Sequence, residues 1–168
     1  MQSLATDDLL LEPLVVAHAE EMFAVLREPD LYRFLDHPPP PSLEHLRGVY
    51  ARVEGRASPD GTRLWLNWIV RPPGQAAIGY VQLTVASQAA WVGFVFSSRH
   101  WGRGLAWQAT QVVLEHASSA YKIVCFLASV ESDNQRSVRL LGRLGFREAT
   151  RQECEQHPPS ATERLFVR

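Results

Sequence analysis

A turn built from two glycines constrains this chain more than any other feature. Residues 99–106 read Arg-His-Trp-Gly-Arg-Gly-Leu-Ala, between an apolar run at 90–96 and a stretch of helical periodicity. Gly102 and Gly104 can adopt positive φ and leave no Cβ in the way of a ligand. The first amides of a helix lack internal partners and carry partial positive charge, so a helix opening here can seat an anion. Arg99 and Arg103 add formal charge. Two glycines before a helix also occur as plain tight turns, so the flanks decide. The run 90–96 has buried-strand character, and Leu105, Ala109, Val112, Val113, His116 and Ala117 share one face of the following helix. These flanks favour phosphate cradling.

The same logic extends downstream. Residues 122–129 read as a strand rich in Ile, Val, Cys and Phe. Ser132-Asp133-Asn134-Gln135 then opens a helix, with Ser132 as expected N-cap and Gln135 reaching back to it. Ser137, Leu140, Leu141 and Leu144 share a face of that helix. Gly145 stands where a left-handed cap belongs, and Phe146 can pack back on Leu141. The order is strand, anion-binding turn, helix, strand, helix, strand.

Arg99-x-x-Gly102-x-Gly104, Asn134-x-x-Ser137 and Leu144-Gly145-Phe146 together resemble the GNAT superfamily of acetyl-coenzyme A-dependent N-acyltransferases. Within it, Trp101-Gly102-Arg103-Gly104-Leu105-Ala106 resembles the RimJ/RimL-like branch, whose members acetylate protein N-termini and, among relatives, small amines. Leu9-Leu10-Leu11-Glu12-Pro13-Leu14 and Asp30-Leu31-Tyr32-Arg33-Phe34-Leu35 resemble that branch's opening strand and first helical region. The resemblance implies an α/β fold: a mixed, mostly antiparallel central sheet flanked by helices and splayed between its strands 4 and 5. It also implies acetyl-CoA as co-substrate.

The rest of the chain is read as one domain over residues 1–168. At 46% hydrophobic content it can bury a sizeable core, and there is no repeat or dividing linker. A net charge of −1 gives no reason to expect nucleic acid or an anionic membrane as partner. No apolar stretch approaches the roughly 20 residues a membrane span requires. The N-terminus does not resemble a secretory signal, and the two cysteines suggest no disulfide, so a cytoplasmic location is expected. Strands are expected at 9–14, 63–71, 77–85, 90–96, 122–129, 146–151 and 162–167, with a loop through Pro158-Pro159. Helices are expected at 16–26, 30–35 and, capped by Ser42, to about 53. The expected partners are a small-molecule amine or a protein N-terminus; a homodimer is compatible with the resemblance.

The site residues follow from these readings. Arg99, Trp101, Gly102, Arg103, Gly104, Leu105 and Ala106 are expected to hold the coenzyme, with Asn134 and Ser137 opposite them. Phe96 contributes through its backbone, since an extended pantetheine arm can pair with a strand edge. The six histidines show no metal-ligand spacing, and no metal is expected. Many family members carry a tyrosine in the late helix to protonate the departing thiolate; the matching position here is Leu141. Ser137 is the substitute that the RimL-like resemblance implies. The strand 90–96 carries no carboxylate, and Gln108 stands where the branch commonly has Glu. Glu131 and Asp133, near the strand-to-helix crossover, could then act as base through water. The alternative is positioning of an amine that is already neutral. For the acceptor, Tyr32, Trp65 and Trp68 offer apolar wall and Asp36 a carboxylate. A second function class is a catalytically weak coenzyme A-binding module with a regulatory or interaction role. A nucleotide enzyme would need Gly-x-x-x-x-Gly-Lys-Ser or Gly-x-Gly-x-x-Gly after a first parallel strand, and neither is present.

Overall fold

Side-chain alternation along three consecutive strands sets the two faces on which everything else is built. The computed structural model describes residues 1–35 and 37–168. Its first half runs β1 (Leu4–Ala5), β2 (Leu10–Pro13), α1 (Ala19–Val25), α2 (Leu43–Glu54), β3 (Leu64–Arg71), β4 (Gly79–Ala86) and β5 (Ala89–Phe96). The second half runs α3 (Leu105–Tyr121), β6 (Cys125–Glu131), α4 (Gln135–Arg143), β7 (Arg147–Glu148), α5 (Arg151–Gln156) and β8 (Glu163–Val167). The strands form one sheet in the order β1-β2-β3-β4-β5-β6-β8-β7. All described pairs are antiparallel except β5 with β6. A parallel pair needs a long crossover, which α3 supplies.

Register fixes the faces. Trp68, Val81 and Phe94 stand abreast on β3, β4 and β5, and Ile69, Tyr80 and Val95 form the next rung on the opposite face. The first face packs on α3 and α4, where Leu66, Trp68, Val81, Leu83, Val113, Phe126 and Leu141 lie in one buried cluster. The second is covered in two places. The α1 and α2 region buries Ile69 and Val95 with Met22, Leu46 and Tyr50. Cys154 of α5 packs over Leu127, Leu165 and Val167. Between the two coverings runs a strip two rungs wide, Trp65–Thr84–Trp91 and Asn67–Gln82–Gly93.

The β5–β6 ladder joins only Ala89, Ala90 and Trp91 to Cys125, Phe126 and Leu127. Residues 92–96 and 128–131 then diverge, while β6 stays paired to β8 through Glu131. This is the splay expected between strands 4 and 5; the short N-terminal β1, not anticipated from sequence, moves the numbering up by one.

Several boundaries differ from expectation for local reasons. Ser132 is not the N-cap of α4: its hydroxyl donates to the Thr162 carbonyl at 2.7 Å. A turn closed by Asn134 N–H to the Glu131 carbonyl (2.9 Å) moves the cap to Asn134, whose side chain accepts from Ser137 N–H at 3.2 Å. The expected strand 146–151 is cut to two residues, and α5 replaces part of the expected loop. The cause is a Thr150-x-x-Glu153 capping box, with Thr150 N–H donating to the Glu153 carboxylate at 2.8 Å. The expected cap at Ser42 is present, accepting from His45 N–H at 3.0 Å. Gly145 is left-handed at φ +83, with Phe146 N–H returning to the Leu141 carbonyl at 3.0 Å.

Candidate functional site: a splayed sheet with an anion-binding turn

The chain leaves β5 through a 3₁₀ turn, Ser98–His100, that one carboxylate fastens down. Glu28 accepts from Ser97 Oγ (2.6 Å), Ser98 N–H (2.7 Å) and Ser98 Oγ (2.8 Å). Burial alone would raise the Glu28 pKa, but these hydrogen bonds, with the Arg99 charge nearby, hold it below the ordinary carboxylate value. Gly102 and Gly104 follow at φ +76 and +80, and Gly104 is the N-cap of α3. The first returning bond is Gln108 N–H to the Gly104 carbonyl at 3.1 Å. Among the described residues, no backbone amide from 102 to 107 donates to any protein group. A Cβ added at either glycine would meet nothing within 4 Å, so the turn has an open side. Six free amides beside exposed Arg99 and Arg103 match the donor set a diphosphate requires.

Phe96 presents its side chain and its peptide group to different surroundings. Its side chain is buried in the α3 core. Its peptide group faces the splay: alternation from Gln88, whose carbonyl accepts from Val124 N–H, points Val92, Phe94 and Phe96 the same way. Beyond Trp91 no strand among the described residues pairs with that edge, which can therefore accept an extended amide-bearing chain. Trp101 holds the far end, its indole N–H donating to the Phe96 carbonyl at 2.7 Å.

Across the splay, Asn134 and Ser137 start α4. The Asn134 oxygen is engaged as cap, whereas the Ser137 hydroxyl makes no hydrogen bond among the described residues. Glu131 ends β6, accepts from Thr162 Oγ1 at 3.1 Å, and stands in register with Glu163 on β8. Arg136 was not anticipated: its guanidinium lies 4.7 Å from the Trp101 ring centroid, tying α4 to the glycine turn. No local signal marks this arginine, because its neighbour lies 35 residues upstream and is brought close only by the parallel crossover. Leu141, the counterpart of the family tyrosine, is fully buried and offers no acid to the splay.

The acceptor residues are only partly brought together. Tyr32 packs with the α1–α2 cluster and donates its hydroxyl to the Leu26 carbonyl at 2.6 Å. Trp65 stands on the open strip, abreast of Thr84 and of Trp91, which is 36% exposed. Trp68 does not line this face. It is 0% exposed on the α3 side, with its indole N–H donating to the Gln2 carbonyl at 3.1 Å, because a one-residue step along a strand reverses the side chain. Asp36 lies outside the described residues. Sequence reasoning missed Asn67, Gln82 and Tyr80, which alternation along β3 and β4 places on the strip and its border. Burial, then the neighbouring Tyr32, pushes the Tyr80 phenol up to about 12, so it stays protonated at neutral pH. Among the described residues no group of three or more His, Cys, Asp or Glu could hold a metal ion, and no helix is long and apolar enough to cross a membrane.

Comparison with known proteins agrees with this geometry. Residues 8–147 match the family model described as the acetyltransferase (GNAT) domain. An uncharacterized N-acetyltransferase, p20 of Bacillus licheniformis, is 22% identical over 148 residues, covering 87% of this chain and 83% of that protein. The structure of RimL, a ribosomal L7/L12 alpha-N-protein acetyltransferase in complex with coenzyme A, superposes with TM-score 0.79 at 18% identity, covering 97% and 94% of the two chains. The ribosomal-protein-S5-alanine acetyltransferase from Vibrio fischeri does so with TM-score 0.79 at 16% identity, covering 99% and 95%. The chain thus belongs to the GNAT acetyltransferase family and is an acetyl-coenzyme A-dependent acyltransferase.

Proposed function

We propose that the protein moves an acetyl group from acetyl-coenzyme A directly to a primary amine, either a protein N-terminus or a small-molecule amine. The observation that carries this reading is the run of six amides at 102–107 that have no partner among the described residues and open beside a strand edge to which none of those residues pairs. When bound, acetyl-coenzyme A supplies the activated acetyl thioester. Arg99, Arg103 and the amides of 102–107 would hold its diphosphate, with Trp101, Leu105 and Ala106 shaping the seat. The peptide groups of Val92 and Phe94, with the Phe96 N–H, would orient the pantetheine arm along β5, the Phe96 carbonyl being held by Trp101. Arg136 adds a third cation from α4, and Asn134 fixes the first turn on which Ser137 stands.

Two side chains then handle protons. Glu131 Oε1, positioned by Thr162, takes a proton from the incoming ammonium through water. Ser137 Oγ, without a hydrogen bond among the described residues, would pass to the departing sulfur the proton that the attacking nitrogen loses, its own hydroxyl being restored. An α-amine has an ordinary pKa of roughly 8, so a large share is already neutral near that pH and little is asked of the base.

The test is thiol release from acetyl-coenzyme A over a panel of peptide N-termini, amino-acid amides, aminoglycosides and polyamines. Turnover with one class supports the proposal. Tight coenzyme binding without turnover of any amine would instead favour a coenzyme A-binding module.

A further inference from the structure

The open strip presents a rung of amide side chains that the chemistry described so far leaves unused. Asn67, Gln82 and Gly93 stand abreast on β3, β4 and β5. Directly opposed residues on neighbouring strands bring their Cβ atoms to about 5 Å, so the two carboxamides share one patch. Asn67 is only 9% exposed, yet among the described residues its side chain makes no hydrogen bond. The fully buried side-chain groups that lack a partner among the described residues belong to Tyr50, His100, Thr110 and Ser129, so the Asn67 carboxamide keeps some contact with solvent. Gln82 is exposed and likewise unpartnered among the described residues.

Gly93 explains how the rung reaches the splay. Its φ is not in the left-handed region, so conformation does not require glycine here. Space does: an added Cβ would lie 2.8 Å from Gln82 Nε2 and 3.0 Å from Gln82 Cγ. The missing side chain lets the Gln82 carboxamide lie across β5 two residues past the end of the β5–β6 ladder, where the strand edge becomes free.

We infer that Asn67 and Gln82 are specificity-determining residues that bind the amide group adjacent to the acceptor amine. The acceptor class is then an α-amino amide, such as a peptide N-terminus or an aminoacyl conjugate, and not a simple alkylamine or a polyamine. This rests on the acetyl-transfer reading above. A carboxamide offers both donor and acceptor, so a pair can satisfy the C=O and N–H of one peptide group. The next rung, with Trp65 and the partly exposed Trp91, supplies an apolar surface for the acceptor's own side chain. The chemistry of the amine agrees. An α-amine beside a carbonyl loses its proton near pH 8, about two units below an alkylamine, which suits a site whose proposed base, Glu131, is engaged by Thr162.

The experiment compares alaninamide with isopropylamine, which replaces the carboxamide by a methyl group, in the wild type, Gln82→Ala and Asn67→Ser. Each ratio is taken within one substrate, so the difference in amine basicity cancels. The expected result is an alaninamide KM raised about fivefold to tenfold in either variant, as loss of one neutral hydrogen bond implies. The kcat, the isopropylamine KM and the calorimetric Kd for coenzyme A should stay unchanged. Since Asn67 is buried, its variant is read only with a melting curve, and the exposed Gln82 carries the test alone if that variant unfolds. Equal losses for both amines, or none for either, would overturn the inference while leaving acetyl transfer intact. No turnover of any amine by a wild type that binds coenzyme A would remove the underlying reading as well.

Discussion

Replacing Gly102 by valine separates the glycine's backbone role from its role as open space. At φ +76 a residue with a Cβ carries a strain of about 1–2 kcal/mol. No steric term adds to this, because a Cβ there meets nothing within 4 Å. For a domain of this size each kcal/mol lowers Tm by about 2–4 °C, so a fall of roughly 2–8 °C is expected. Binding suffers differently. The valine side chain fills space that the glycine leaves open at the turn, and if this costs one charge-assisted hydrogen bond to the diphosphate, binding loses about 1.5–3 kcal/mol. That corresponds to a coenzyme A Kd raised about tenfold to more than a hundredfold. Gly74→Val is the matched control: it has φ +70, nothing within 4 Å, and sits in the β3–β4 hairpin. It should lose similar stability and bind coenzyme A like the wild type. Thermal melts and titration calorimetry read the two effects. Equal Kd values for the two folded variants would refute the assignment of the turn as the diphosphate seat.

Three further outcomes follow from the same geometry. Arg136→Gln should weaken coenzyme A binding several-fold at low salt and less at high salt, since a charge near the turn is screened; a salt-independent Kd ratio by calorimetry would contradict this. Glu28→Gln should lower Tm at neutral pH. Because the folded Glu28 pKa lies below its ordinary value of 4.5, the wild-type advantage is full above that value and disappears as pH falls through the lowered one, which melting curves across the acid range will show. Ser137→Ala should lower kcat and kcat/KM together while leaving acceptor KM and Tm nearly unchanged, because its hydroxyl bonds to nothing in the described protein; an unchanged kcat would make Ser137 structural.

The local structure of the candidate donor half was legible in sequence because its parts are contiguous. Residues 96–106 run from strand end through glycine turn to helix, and each local signal points to the same structure. The same holds for Asn134 and Ser137, although the cap was placed two residues early. Ser132 and Asn134 are both good capping residues, and only the hydrogen bond from Ser132 to Thr162, 30 residues away, decides between them. The proposed acceptor half takes one residue from each of several strands, and no window of sequence contains it. Trp65 and Trp68 look equivalent in an apolar run, yet their separation of three places them on opposite faces. Arg136 was missed for the same reason: its relation to Trp101 exists only after α3 has carried the chain back parallel to β5.

This difference also predicts where the chain can change without losing its fold. The donor seat depends on two left-handed glycines and on Glu28, whose carboxylate gathers three donors, so most substitutions there perturb stability and binding together. The acceptor strip lies on a sheet whose other face already supplies the core, with Leu66, Val81, Leu83 and Val92 buried under α3. Gln82 is exposed and Thr84 is half-buried, so replacing them removes little apolar burial, whereas Trp91 is only 36% exposed and stands edge-on to the His157 ring at 5.9 Å. Gly93 is the exception on this strip, because any side chain there must first displace Gln82. A change of acceptor is therefore expected to arise most readily through positions 82 and 84, with the turn fixed and Gly93 fixed for as long as Gln82 is kept. Saturation mutagenesis at those positions, screened for thiol release with alaninamide and with isopropylamine, checks this. Variants that exchange acceptor preference should keep Tm within a few degrees of the wild type. If preference can be altered only by substitutions that also unfold the protein, the strip is part of the core and the acceptor approaches from elsewhere.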